Sequence, residues 1–231
     1  MSLRVASYNL RALQDDVAAL ARTVRAVDPD VLCLQEVPWI PPVATRVTDL
    51  ARRCGLVWSG RDHRSGQTSV LTSLRTQVLS VTHHPPPARR GDRRGYAVTR
   101  VAPFGGPAVS VVSVHLSLDA PERVRHARQI LASLDALPGP AVLAGDLNEQ
   151  EDGQAWQVFG QRMRVVSPLT PTYPANLPDR VLDVVFATPD LTVLPHQEVP
   201  WLYEDLVAAS DHRPVWVDLE VPGAPTASGA G

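Results

Sequence analysis

The chain contains no lysine: all 22 of its cationic side chains are arginine, set against 24 carboxylates for a formal net charge of −2. We attach no function to the arginine preference, but the near balance of charge excludes a global positive field able to hold a nucleic-acid backbone. Only two cysteines occur, Cys33 and Cys54, in different apolar patterns and in no motif. They are expected to be reduced core residues of a cytoplasmic protein. No apolar run approaches the roughly 20 residues of a membrane span. The start, Met1-Ser2-Leu3-Arg4, leads straight into a strand-like pattern with no signal-peptide apolar region. A G-x-S-x-G elbow, a P-loop and a dinucleotide fingerprint are also missing, which argues against acyl transfer in particular. No Cys/His cluster favours zinc.

What is present suits one domain, expected over residues 1–221, with a Pro/Gly/Ala/Ser-rich tail, 222–231, expected to be disordered. Leu3–Tyr8 alternates as a strand and delivers Asn9 at its end. Leu13, Val17, Leu20, Val24 and Val27 form one helical face, capped by Asp15 or Asp16 and stopped at Asp28-Pro29. Val31–Leu34 is a second buried strand, ending in Gln35-Glu36. Pro41-Pro42 opens a second helix, with Val43, Val47, Leu50 and Ala51 on one face and Gly55 as its stop. Thr68–Ser73, Gln77–Thr82, Tyr96–Val101 and Ala108–His115 read as strands without helices between them, hence antiparallel. His83–Gly95 reads as an arginine-rich surface loop. A helix spans Pro121–Leu137, with Val124, Ile130, Leu131, Leu134 and Leu137 mostly on one side. The apolar run Ala141–Ala144 is a buried strand, placing Asp146 and Asn148 just past its end. After Glu149 the pattern is less regular: Val181–Ala187 reads as a strand with Asp183 inside it, Val193–Val199 as another, and Val215–Leu219 as the last.

Polar groups therefore gather at strand ends: Asn9, Glu36, His115, Asp146, Asn148, and Asp211-His212, with Asp183 inside an apolar run. A buried acid such as Asp183 is costly without a partner, and a histidine or cation is the natural one. Hard divalent cations such as Mg²⁺ take oxygen ligands, often one or two carboxylates completed by water and substrate phosphate, and Glu36 and the aspartates suit that. An Asp–His pair can activate water or protonate a leaving oxygen, and asparagine amides can donate to non-bridging oxygens. Metal-assisted hydrolysis of a phosphate ester uses all of these groups.

The motifs S-Y-N-L (Ser7–Leu10), L-Q-E-V (Leu34–Val37), V-H-L-S (Val114–Ser117), G-D-L-N (Gly145–Asn148), R-V-L-D-V-V-F (Arg180–Phe186) and S-D-H-R-P (Ser210–Pro214) occur in this order. The set, spanning Val5 to about Leu219, resembles the endonuclease/exonuclease/phosphatase superfamily of deoxyribonuclease-I-like folds. The resemblance implies an α/β sandwich of two mixed or antiparallel sheets with helices outside, four layers in all. It implies Glu36 as the principal metal ligand, with Asn9 and Asp211 close to the metal or the phosphate, and Mg²⁺ or Mn²⁺ as the ion. By the same resemblance Asp146 orients or activates the attacking water, Asn148 binds phosphate, and His212, paired with Asp183, touches the scissile phosphate. His115 resembles the second histidine of the deoxyribonuclease, sphingomyelinase and phosphatase branches, while Thr172-Tyr173 and Arg180 fall at substrate-contacting positions. One stretch departs from the family: Gly66–Ser73 lacks the usual asparagine, so Gln67 or Ser69 would have to orient His115 in its place.

The expected function is metal-dependent hydrolysis of a phosphodiester or phosphomonoester by a monomeric enzyme. The alternatives are a DNA or RNA nuclease, for which Arg89, Arg90, Arg93 and Arg94 are the best support, and a phospholipid-headgroup hydrolase. A different class, a silent phosphate-binding module, is opposed by the intact set of polar residues. Family membership alone does not fix the substrate.

Overall fold

The computed structural model describes residues 1–60, 67–84 and 94–223. Strand β1 (Ser2–Asn9) alternates, with Leu3 and Val5 facing one side and Ala6 and Tyr8 the other. Helix α1 (Val17–Val27) follows; Asp16 starts it by accepting from Ala18 N at 2.7 Å and Ala19 N at 3.1 Å. Strand β2 (Val31–Gln35) then pairs with β1 in parallel. It too alternates, with Val31 and Cys33 on the first face and Leu32 and Leu34 on the second. Helix α2 (Val43–Cys54) ends at Gly55, whose φ of 74° is the left-handed turn that glycine takes without strain. The short strand β3 (Val57–Trp58) and strand β4 (Ser69–Thr72) complete this part of the chain.

The next strands build a second sheet: β5 (Thr76–His84), β6 (Tyr96–Pro103) and β7 (Val109–His115) as an antiparallel run. Helix α3 (Ala120–Asp135) then leads to β8 (Ala141–Asp146), which pairs with β7 in parallel. Helix α4 (Gln154–Phe159), β9 (Arg164–Val165) and β10 (Asp183–Ala187) follow. The chain returns to the first sheet with β11 (Thr192–Val193), helix α5 (Tyr203–Ala209) and β12 (Val215–Glu220). Among the described residues each sheet has six strands, ordered β11-β12-β1-β2-β4-β3 and β5-β6-β7-β8-β10-β9.

Burial follows from the alternation. Leu3, Val5, Val31 and Cys33 meet Val109, Val111, Val142 and Val185 between the sheets. The outer face of the first sheet is covered by α1 and α2 through Leu20, Val24, Val47 and Leu50, and that of the second by α3 and α4 through Ile130, Leu131, Trp156 and Phe159. The result is a four-layer α/β sandwich, as the resemblance implied. No helix among the described residues is long and apolar enough to cross a membrane.

Several elements differ from the sequence reading. Strand β4 does not join the β5–β7 run but pairs with β2 in the first sheet. His83 and His84 extend β5 instead of opening a loop. Asp183 is the first residue of β10, not an interior one, and the strand expected over 193–199 shrinks to Thr192–Val193. Leu13 lies outside α1, in a turn where Arg11, Ala12 and Leu13 all have positive φ. Helices α4 and α5, of six and seven residues, have too few turns for a periodic apolar signal. Glu149 Oε1 starts α4 from a distance by accepting from Ala155 N and Trp156 N. The arginines at 89, 90 and 93, Gly66 and the tail from 224 onward lie outside the described residues.

One position is dictated by close approach. Gly145 lies opposite Val114, and a Cβ there would sit 1.9 Å from the Val114 carbonyl oxygen. The Gly145→Ala substitution must push β8 away from β7. We expect it to lose roughly 1–3 kcal/mol, as overpacking does, read as a lowered midpoint in denaturant unfolding; an unchanged midpoint would contradict the packing described.

Candidate active site

The faces that meet between the sheets turn polar toward one end. In β1 the inward series runs Leu3, Val5, Ser7, Asn9; in β7 it runs Val109, Val111, Ser113, His115; in β8 it runs Val142, Ala144, Asp146. A strand's period of two thus carries each polar end residue into the seam that its apolar predecessors fill. The transition is hydrogen-bonded: Ser7 Oγ donates to Gln35 Oε1 at 3.2 Å, Gln35 Nε2 to Ser113 Oγ at 3.3 Å, and Ser113 Oγ to the Leu34 carbonyl at 2.9 Å.

Register sets the centre. Asp146 stands beside His115 on one side and Asp183 on the other. Its Oδ2 accepts from Asn9 Nδ2 of the opposite sheet at 3.1 Å, with His115 Nε2 at 3.4 Å and His212 Nε2 at 3.8 Å. Its Oδ1 accepts from Asn148 N at 2.9 Å, in a turn that gives Asn148 a φ of 51°. Asp183 is fully buried; its Oδ2 lies 2.7 Å from His212 Nδ1 and accepts from Thr172 Oγ1 at 2.6 Å. The Tyr173 ring packs on His212 at 4.8 Å, and the Arg180 guanidinium lies 4.6 Å over Tyr173.

The two histidines differ in charge preference. Burial pushes His115 down to about 4, outweighing the pull of Asp146, and the nearby cations Arg94, His212 and His126 add to the fall. Burial also opposes the charged form of His212, but Asp183, through charge and hydrogen bond, together with Asp146 and Asp211, raises it to about 9. A neutral imidazole and a cationic one therefore share one carboxyl group.

At the mouth stands half-buried Glu36, with a φ of 50°, whose Oε1 accepts from Asn9 Nδ2 at 3.2 Å. Asp211, also half-buried, lies 3.6 Å from Arg11 Nε, and Arg11 N donates to Asn9 Oδ1 at 3.0 Å. Asn148 Nδ2 donates to the Leu116 carbonyl at 3.0 Å, which spends one of its two amide hydrogens within the protein. Both Glu36 and Asp211 offer hard oxygen donors, and the two cysteines lie buried in the apolar core. Asp146, Asp183 and His212 can also hold a metal ion, since one ligand atom of each lies within 4.8 Å of the others. Glu36 and Asp211 are not in that grouping.

Asn9, Glu36, His115, Asp146, Asn148, Asp183, Asp211 and His212 thus lie at this end of the sandwich, with Thr172, Tyr173 and Arg180 beside them. Neither stand-in for the missing asparagine orients His115: Ser69 Oγ accepts from Trp58 Nε1 at 2.9 Å, the Gln67 carbonyl accepts from Val37 N at 2.8 Å, and His115 Nδ1 has no hydrogen-bond partner among the described residues. The sequence reading missed Arg11, two residues after Asn9, and Ser210, whose Oγ donates to the Asn9 carbonyl at 2.7 Å. It also placed Arg94 in a solvated loop, whereas Arg94 Nη1 donates to the Leu116 carbonyl. Ser210 had a signal, since it opens S-D-H-R-P; Arg11 and Arg94 had none beyond proximity in the chain.

The profile of the Endonuclease/Exonuclease/phosphatase family matches residues 6–212, and the chain belongs to that family. Its members are hydrolases acting on phosphate esters. Among solved structures, the chain is similar to an endonuclease/exonuclease/phosphatase of Beutenbergia cavernae, with 25% identity, covering 98% of this chain and 73% of that one at a TM-score of 0.74. A mannosyl-6-phosphatase of Bacteroides thetaiotaomicron is 18% identical over 94% of this chain and 99% of its own, at a TM-score of 0.72. D. rerio TDP2, complexed with single strand DNA product, is 18% identical over 95% and 99%, at 0.70. By sequence, no curated protein matches the chain.

Thr172 tests the support of the Asp183–His212 pair. Thr172→Val removes the hydroxyl that donates to a fully buried carboxyl group, and we expect a loss of about 1–3 kcal/mol. Denaturant unfolding checks it; a variant as stable as the parent would show that the hydrogen bond carries little.

Proposed function

We propose that the protein hydrolyses a phosphodiester or phosphomonoester by in-line attack of water, with Mg²⁺ or Mn²⁺ as cofactor. The observation that carries this reading is the convergence on Asp146 Oδ2 of Asn9 Nδ2, His115 Nε2 and His212 Nε2, at 3.1, 3.4 and 3.8 Å. Asp146 is placed to accept a proton from the attacking water. Asp183 holds His212 by Nδ1 and leaves Nε2 facing the centre, so a cationic imidazole presents a donor to a phosphoryl oxygen. His115, kept neutral by burial, serves as a second imidazole at the leaving-group side. The Asn9 amide is fixed on both sides by Glu36, Asp146 and Arg11 N. Asn148 retains one amide hydrogen for a non-bridging oxygen, while Thr172 and Arg180 support the rim beside Tyr173.

Glu36, Asn9 and Asp211 are the residues we assign to the metal. Glu36 and Asp211 fit a hard divalent ion because they offer carboxylate oxygens at a half-exposed mouth, with the buried Asn9 amide beside Glu36. The trio Asp146, Asp183 and His212 is buried deeper, with Asp183 Oδ2 engaged by both His212 Nδ1 and Thr172 Oγ1. A bound divalent ion supplies charge that polarises a phosphoryl oxygen and offsets the negative charge of the displacement.

The similar structures support the breadth of this reading, since one is named a phosphatase and another holds a DNA product. The test is hydrolysis of plasmid DNA, single-stranded DNA and RNA, bis-(p-nitrophenyl) phosphate, sphingomyelin, and inositol and sugar phosphates, with and without Mg²⁺ or Mn²⁺. Turnover should require the metal, and Asp146→Asn and His212→Ala should each lower it about 10²–10⁴-fold with circular dichroism unchanged. Glu36→Gln should raise the metal concentration needed for half-maximal rate. Parent-like turnover by the His212 variant would overturn the mechanism.

A further inference from the structure

The turn that links β1 to α1 is strained and sits at the mouth of the site. Arg11, Ala12 and Leu13 carry φ of 45°, 55° and 56° in succession, a left-handed run with no glycine in it. L-residues resist that conformation, and a strained segment persists only where its surroundings hold it. Here they do. Ala12 N donates to the Glu36 carbonyl at 2.9 Å and Leu13 N to the Leu10 carbonyl at 2.9 Å. Arg46 Nη2, from α2, donates to the Ala12 and Leu13 carbonyls at 3.2 and 3.4 Å.

This turn touches each of the three residues assigned above to the metal. Arg11 N donates to Asn9 Oδ1 at 3.0 Å, Ala12 N holds the Glu36 backbone, and Arg11 Nε lies 3.6 Å from Asp211 Oδ2. The two backbone contacts orient their partners. The side-chain contact is of another kind, because it sets a positive charge on a carboxylate that a divalent ion would also claim, and two cations on one carboxylate repel each other. Arg11 has a second partner: its Nη1 lies 3.2 Å from Asp15 Oδ1 and 3.5 Å from Oδ2. A guanidinium carries five N–H donors, so it can release one carboxylate and keep the other. With the Arg11 and Asp211 side chains 46% and 33% exposed, their pair is wet and weak enough to give way.

We propose that Arg11 is a resident counter-cation that competes with the divalent ion for Asp211 and so sets the affinity of the metal site, with Asp15 retaining the guanidinium when the ion binds. The consequence is a site that exchanges its ion with solution instead of holding it tightly. The inference rests on the assignment of Glu36, Asn9 and Asp211 to a metal, and it is tested by binding, without substrate or turnover. Mn²⁺ is titrated into the full chain at low ionic strength, and the free ion is measured by electron paramagnetic resonance; Mg²⁺ is then read by displacement of Mn²⁺.

Arg11→Gln should bind Mn²⁺ about two- to fivefold more tightly than the parent, the scale of a half-exposed ion pair. Arg11→Lys keeps the charge and should restore the parent's affinity. Asp15→Asn leaves Asp211 as the guanidinium's one carboxylate partner of the two and should weaken binding by a similar factor; in the Arg11→Gln background that weakening should shrink by half or more. An arginine that merely tied the turn to Asp211 would give the opposite sign, since its removal would loosen a ligand. Binding by Arg11→Gln that equals or falls below the parent's therefore overturns the proposal, as does an Asp15→Asn effect undiminished in the double variant. Failure of the parent to bind Mn²⁺, or parent-like binding by Glu36→Gln, would instead remove the metal assignment itself, and the competition with it.

Discussion

A carboxyl group buried between two sheets must find partners, because removing it from water is expensive. Asp146 is 1% exposed and meets that requirement with groups from separate parts of the chain: Asn9 from β1, His115 from β7, the Asn148 amide from its own turn, and His212 from the approach to β12. The Asn9 contact crosses between the sheets, so the two halves of the sandwich are held in register at this end by hydrogen bonds and elsewhere by apolar packing. Asn9 is pinned in turn by Arg11 N and by Ser210 Oγ. Disturbing one member therefore leaves a buried partner unsatisfied.

The same arrangement separates the chemistry of two identical side chains. His115 ends a strand, its Nδ1 unpartnered among the described residues, and stays neutral under burial, while His212 gains a fully buried aspartate as a direct partner and becomes cationic. Burial opposes the charge on both rings; the fully buried Asp183 at Nδ1 overcomes it for His212, while Arg94, His212 and His126 add to it for His115. Asp183 is anchored by Thr172, whose hydroxyl donates to it.

Much of this was legible in the chain. The β1–α1–β2–α2 order followed from alternation, the Asp16 cap and the Gly55 stop, and the polar strand ends named Asn9, Glu36, His115, Asp146 and His212 without coordinates. Asp183 was identified as an acid in need of a partner, and its partner is the histidine the motif supplied. The errors share a cause. Helix α4 depends on Glu149, which is also held by Arg123 from α3 at 2.9 Å, and α5 is tied to α1 by Arg22 and Asp205. Elements this short are stabilised by such contacts more than by their own propensity. Strand β4 could not be told from its neighbours because strand character does not say which sheet a strand joins.

By itself, then, the sequence determined which segments alternate, where helices start and stop, and which polar residues lie at the strand ends, since these depend on interactions a few residues apart. The tertiary structure decided which ends meet: Asn9 and Asp146 are separated by 137 residues, and Asn9 and Ser210 by 201. It also decided the charge preference of each histidine, because that depends on burial and on neighbours brought close only by packing.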